Sequence, residues 1–107
     1  SSALLNFLKP FTIIDDPYET RSWKEGTDCC EWEGIICHPL NHHVISLDLS
    51  GSGIKGTIES NSSLFLLRHL KHLDLSDNAL QGPLPMKILH LPHLKYLYFG
   101  YNDGLFS

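Results

Sequence analysis

The sequence predicts an α/β solenoid: a right-handed coil whose short parallel β-strands line a concave face, closed at the front by a helix-plus-hairpin cap. Three observations predict it. Residues 67–85, LRHLKHLDLSDNALQGPLP, carry apolar side chains at Leu67, Leu70, Leu73, Leu75, Leu80 and Leu84. That spacing follows neither a helical period nor simple alternation, but it fits one coil of a leucine-rich solenoid. The template recurs forward as Leu91, Leu94, Leu97, Phe99, Asn102 and Leu105, with the landmark asparagines Asn78 and Asn102 spaced by 102 − 78 = 24 positions. It recurs backward through Val44, Leu47, Leu49, Ser52, Ile54, Gly56 and Ile58, with Leu47 and Leu73 spaced by 73 − 47 = 26.

The elements follow in order. SSALLNFLK, residues 1–9, suits a short amphipathic helix capped by Ser1 or Ser2 and halted by Pro10. The polar run after it has Trp23 as its large apolar anchor, with turn signals at Asp15-Asp16-Pro17 and Glu25-Gly26. Ile35 to Cys37 reads as a strand, and Val44 to Leu49 as the next, joined by the irregular link HPLNHH. The cap, residues 1–43, is expected to pair antiparallel with the first repeat strand and cover an edge that invites aggregation. Residues 44–107 form the repeats: 44–66, 67–90 and a partial third coil, 91–107. In each coil the leucines of L-x-L point inward and strands stack at roughly 4.8 Å. Asn78 and Asn102 sit where the chain leaves the strand, and their amides are expected to satisfy backbone groups that no sheet partner reaches. Ser52 holds that place in coil one as a weaker version, and Gly56 and Gly82 mark turns where a Cβ would crowd the backbone.

Composition narrows the function. With 107 residues the chain is one domain at most, and its 8 Lys+Arg against 12 Asp+Glu leave a net charge of −4. No basic patch or basic-aromatic run points to nucleic acid. No stretch approaches the length of apolar residues that crosses a membrane. The opening SSALLNF has no basic n-region, so any secretion signal is expected to have been removed already. A solenoid buries its apolar face only against neighbouring coils. Because Ser107 falls partway through the third, a fragment or a very short relative of a longer solenoid is expected.

L-x-x-L-x-x-L-x-L-x-x-N-x-L-x-G-x-x-P resembles the extracellular plant type of leucine-rich repeat. CCEWEGIIC followed by VISLDLS is similar to the N-terminal cap of plant leucine-rich receptors and polygalacturonase-inhibiting proteins. SNSSLFLLRHLKHLDLSDN, residues 60–78, looks most like the opening repeats of plant receptor-like proteins. The resemblance runs from Ala3 to Asn102. It implies an extracellular (apoplastic) ectodomain on a membrane-anchored receptor that lacks a kinase, together with a coreceptor kinase that supplies signalling. Coil three departs from the pattern, with LYFGYN at Leu97 to Asn102 where the family favours LDLSxN.

The chemistry-bearing residues are few. Three cysteines are an odd number, and vicinal Cys29 and Cys30 bridge each other poorly. Cys30 is expected to pair with Cys37 around Trp32, a bridge worth about 2–3 kcal/mol by loop entropy. Cys29 would bond an upstream cysteine that family caps carry and this chain lacks. Asn61-Ser62-Ser63 is a sequon that predicts an N-glycan at Asn61. Of seven histidines, His69-x-x-His72 and His90-x-x-His93 imitate metal pairs, but His72 belongs to a strand and His69 precedes it, so they should not converge. No metal or cofactor is expected. His69 and His93 share a phase, so charging near pH 6 would loosen a contact between neighbouring coils.

The concave face is the expected partner surface. It comprises Ile45, Ser46, Asp48, Ser50 and Gly51 of coil one, and Lys71, His72, Asp74, Ser76 and Asp77 of coil two. Coil three adds Lys95, Tyr96, Tyr98, Gly100 and Tyr101, whose tyrosines offer large area and a hydroxyl at low entropic cost. No phosphate loop, nucleophile elbow or H-E-x-x-H occurs, and no enzyme is expected. The leading reading is the N-terminal part of an immune or developmental receptor that recognises a protein, peptide or oligosaccharide. The alternatives are a secreted inhibitor of a microbial wall-degrading enzyme, and a structural cap whose parent recognises its ligand with later coils. The parent's membrane contact would lie in an absent C-terminal part.

Overall fold

The chain is seen in a computed structural model that describes residues 2–14 and 22–105. Ser1, one of the two expected helix caps, and the expected turn at Asp15-Asp16-Pro17 lie outside the described residues. Helix α1 (Ser2–Leu8) begins at Ser2 itself and buries Leu4 and Phe7, which share a face at a spacing of one turn. Pro10 follows its end, since proline has no N–H to continue the ladder. Among the described residues seven strands follow: β1 (Thr12–Ile13), β2 (Ile35–Cys37), β3 (Val44–Asp48), β4 (Ile54–Thr57), β5 (His72–Asp74), β6 (Ala79–Gln81) and β7 (Tyr96–Tyr98). Short 3₁₀ turns occupy Cys29–Glu31, Ser63–Leu66 and Met86–His90.

The concave sheet has the order β2-β3-β5-β7. β3, β5 and β7 run parallel with Leu47, Leu73 and Leu97 in register, so the leucine-rich solenoid is the fold. β2 closes the front by pairing antiparallel with β3, Ile35 opposite Leu47, with a register shift at Ile36/Cys37. A second sheet, β1-β4-β6, lies beyond what the leucine spacing announces. In it β4 runs parallel to β6, and β1 pairs antiparallel with β4, Thr12 opposite Lys55. The cap therefore holds both sheets. Between the sheets and the 3₁₀ turns, Leu47, Leu49, Ile54, Leu64, Leu70, Leu73, Leu75, Leu80 and Ile88 are buried. Each contributes about 2 kcal/mol of apolar transfer.

Polar groups of the turns are met by the asparagines. Asn78 Nδ2 donates to the carbonyls of Leu49, Leu75 and Ser76, and its Oδ1 accepts from the N–H groups of Ser52 and Ile54. Asn102 donates to Leu75, Phe99 and Gly100 and accepts from Leu80 N–H. Ser52 does not act as a shorter asparagine. Its side chain is fully buried and its Oγ has no hydrogen-bond partner, while its backbone N–H goes to Asn78. Serine is too short to reach the carbonyls that an amide reaches.

The cap is built on aromatic packing. Trp23 stacks on Trp32 at 5.3 Å, and both are buried. Their indole N–H groups donate to Glu33 O and Thr27 Oγ1. Ser63 Oγ donates to Ala3 O and ties the helix to the first coil. Gly56 is crowded by a ring rather than by backbone: with φ at 144°, a Cβ there would lie 2.9 Å from Phe11 Cδ1.

Candidate functional site

The concave surface is set by strand pairing. Ser46, His72 and Tyr96 form one column across the coils, and Asp48, Asp74 and Tyr98 form the next. Side chains of successive strand residues point to opposite faces, so Leu47, Leu73 and Leu97 go inward while these columns face out. His72 Nδ1 lies 3.3 Å from Ser46 Oγ, and its ring sits 6.0 and 5.6 Å from those of Tyr96 and Tyr98. His72, Asp74 and Ser76 are half-buried, while Lys71 and Lys95 are exposed.

Coils one and two share a small polar device. Asp48 Oδ1 accepts from the N–H and Oγ of Ser50, and Asp74 Oδ1 accepts in the same way from Ser76, at 3.0 and 2.6 Å in each coil. Coil three has Tyr98 and Gly100 at these places. The carboxylate–serine pair is gone, and a recess of about 500 Å3 opens, lined by Asp74, Ser76, Leu97, Tyr98, Phe99 and Tyr101. Tyr96 and Tyr98 are 55% and 49% exposed, and Tyr101 is 86% exposed.

Tyr101 stands at a special backbone position. The residue after each strand's turn takes a left-handed conformation: Gly51 at φ 61°, Asp77 at 57° and Tyr101 at 57°. Glycine is at ease there and aspartate is tolerated, but a bulky side chain is strained by roughly 1 kcal/mol or more. The tyrosine spacing was readable in the sequence; the strain was not, because φ is a property of the folded turn.

At the other end of the strands lies a column that sequence reasoning half found. His43, His69 and His93 stack across three coils, the first two ring centroids 3.8 Å apart at 14° and the next two 6.0 Å apart at 9°. The shared phase of His69 and His93 pointed to their contact. His43 joins them outside that expectation, although it precedes His69 by 69 − 43 = 26, the same interval as Leu47 to Leu73. His69 has its pKa lowered, first by lost hydration and then by the neighbouring charges of His43, His93 and Arg68. His69 turns to this stack and His72 to Ser46, so the two histidines do not converge. His90 is exposed.

In the cap, Cys30 and Cys37 are joined in a disulfide with Cα atoms 5.6 Å apart, and Cys29 is a free, half-buried thiol. The three sulfur atoms lie within 4.8 Å of one another. With two of them bonded together, no set of three thiolates exists to hold an ion. Asn61 is exposed on the loop before the second coil. The neighbouring sequon serines are engaged, Ser62 Oγ accepting from Leu64 N–H and Ser63 Oγ donating to Ala3 O. No helix among the described residues is long and apolar enough to cross a membrane.

Comparison with known proteins accords with this geometry. Residues 1–38 match the leucine rich repeat N-terminal domain family, and residues 67–83 match the leucine rich repeat family. Receptor-like protein 50 of Arabidopsis thaliana is 41% identical over 102 residues, covering 89% of this chain and 11% of the relative. The chain thus spans about a tenth of the length of that curated relative. Among solved structures, a chain of the BIR3–SERK2 complex from Arabidopsis thaliana superposes with a TM-score of 0.78 at 28% identity, over 94% of this chain and 54% of that one. The ectodomain of the Arabidopsis thaliana receptor kinase GASSHO1/SCHENGEN3, in complex with CASPARIAN STRIP INTEGRITY FACTOR 2, superposes with a TM-score of 0.72 at 33% identity. That match covers 92% of this chain and 12% of the other.

Proposed function

This chain belongs to the leucine-rich-repeat receptor-like proteins of plants, and from that premise we propose that it is the front of a ligand-recognising ectodomain. It works outside the cell on a membrane-anchored parent, in immune or developmental signalling, and catalyses no reaction. The recognising surface is the concave strip of Lys71, His72, Asp74, Ser76, Lys95, Tyr96, Tyr98 and Tyr101, which takes a protein, peptide or oligosaccharide. A coreceptor kinase completes the signal. The solved neighbours, one in complex with CASPARIAN STRIP INTEGRITY FACTOR 2 and one a BIR3–SERK2 complex, support this class of partner. Asn61 carries an N-glycan, on the side of the coil away from the strip.

One observation carries the reading: Tyr101 is 86% exposed while its backbone is held at φ 57°. A strained, solvent-facing aromatic contributes little to folding, and such strain collects at binding sites. Tyrosine is also among the residues that dominate binding energy at interfaces.

The test is proximity labelling around the full-length receptor displayed on plant cells, wild type against a Tyr96→Ala/Tyr98→Ala/Tyr101→Ala variant. At least one partner should be lost by about tenfold or more, given about 1–2 kcal/mol per anchoring tyrosine, with surface level unchanged. Identical partner sets would defeat the proposal. The doubly anchored cap favours a further, structural role for this end of the chain: replacing residues 1–66 with another family cap should leave the partner set intact.

A further inference from the structure

We propose that the histidine stack, together with Lys71, is a binding site for an oxyanion, the carboxylate or sulfate group of an anionic ligand, that fills only at acidic pH. The proposal does not rest on the receptor reading: the histidines lie at the starting edge of the strands, outside the tyrosine strip, and Lys71 is the one residue the recess shares with the recognising surface.

Four observations carry it. First, a recess of about 210 Å3 is lined by His38, Asn41 and His43 of the hairpin turn, His69 and Lys71 of the second coil, and His93 of the third. That is room for one small oxyanion or a single charged sugar. Second, five of these residues are lysine or histidine and none is a carboxylate; Arg68 adds a further positive charge felt by His69. In a chain of net charge −4, this is a local reversal of sign. Third, the hairpin turn that presents His38 and His43 is ordered by its own hydrogen bonds. His38 N–H donates to His43 O, His43 N–H donates to Asn41 Oδ1, and His38 Nδ1 accepts from Leu40 N–H. Fourth, His43 and His69 are stacked nearly parallel at 3.8 Å, so placing a charge on both is unfavourable unless something negative sits between their edges.

These observations link protons to anions. Without an anion, lost hydration first, and then repulsion from His43, His93 and Arg68, keeps His69 neutral below its ordinary range. An oxyanion that accepts charge-assisted hydrogen bonds from the ring N–H groups removes that repulsion. Anion uptake therefore draws protons onto the stack, and acidification draws in the anion. When the imidazoles are neutral only Lys71 faces the recess with a fixed charge, and a lone exposed lysine holds an anion weakly.

Two probes separate a free anion from one carried on a chain: inorganic sulfate, and trigalacturonate with one carboxylate per sugar. Each is titrated calorimetrically into the 107-residue chain at about pH 5 and about pH 7.5, on either side of the histidine range. At least one probe should bind about tenfold more tightly at the lower pH. His69→Gln and His43→Gln should each remove most of that gain, and His90→Gln, away from the stack, should leave it whole. Tighter binding of trigalacturonate assigns the site to a polyanion lying across the coils, and equal binding to a single oxyanion. The proposal is overturned if neither probe binds at about pH 5, if affinity is the same at both pH values, or if both stack variants bind as wild type. Zn2+ binding near pH 7.5 without anion binding near pH 5 would likewise overturn it and reassign the stack as a metal site.

Discussion

Asn78 donates from Nδ2 to the Leu49 carbonyl of the preceding coil at 2.8 Å, a bond that spans 29 residues of sequence. The same amide accepts from Ser52 and Ile54, so one side chain joins the end of β3 to the start of β4. Asn78→Ala strands two backbone N–H groups and a carbonyl. The expected cost is about 3 kcal/mol, at about 1 kcal/mol or more for each unpaired group, read from urea denaturation. A loss below about 1 kcal/mol would mean that water replaces the amide.

Asn102 serves the third coil in the same manner, and its Oδ1 holds Leu80 N–H at 3.0 Å. Its removal should act locally. In Asn102→Ala the Leu80 amide should exchange its hydrogen about tenfold faster or more, while amides of β3 keep their protection. Uniform acceleration along the chain would show that the coils melt as one unit.

Tyr101 occupies the left-handed site held elsewhere by Gly51 and Asp77. Tyr101→Asn should raise stability by about 0.5–1 kcal/mol, because asparagine tolerates this conformation. The same change should weaken partner binding in the parent. A variant that is less stable than wild type would show that the ring makes a folding contact.

The lowered pKa of His69 has a definite thermodynamic sign. The unfolded chain takes up the proton near pH 6.5 and the folded chain only below that, so in this window the unfolded state holds more protons. Stability contributed by neutral His69 is whole above pH 6.5 and falls as pH drops through its lowered pKa. Melting temperatures measured without multivalent anions should decline on acidification, and His69→Gln should flatten that decline. An unchanged slope in the variant would place the effect elsewhere.

The repeat was legible because each coil spends its leucines on a fixed spacing. Leu47, Leu73 and Leu97 needed no structure to be put side by side, and the antiparallel seat of β2 followed from the apolar run at Ile35. Strands of two to four residues leave no periodic trace, so β1 against β4, and β4 against β6, could not be read. Ser52 departs from the expectation because its residue type suggests a hydrogen bond that side-chain length does not allow. His43 precedes the first repeat strand, so a repeat that starts at Val44 leaves it out of its own column, although it lies 26 positions before His69. The recess beside Tyr98 depends on what Gly100 lacks, and absence of a side chain has no signature until neighbours are placed around it.

Both sheets start on a strand that runs against the rest, β2 ahead of β3 and β1 ahead of β4. A duplicated coil supplies only strands of the common direction, so it has no seat in front of these two. Lengthening by gene duplication is therefore one-way: new units can be spliced in behind β3 and β4, and the antiparallel strands β1 and β2 are the fixed origin from which position along the solenoid is counted.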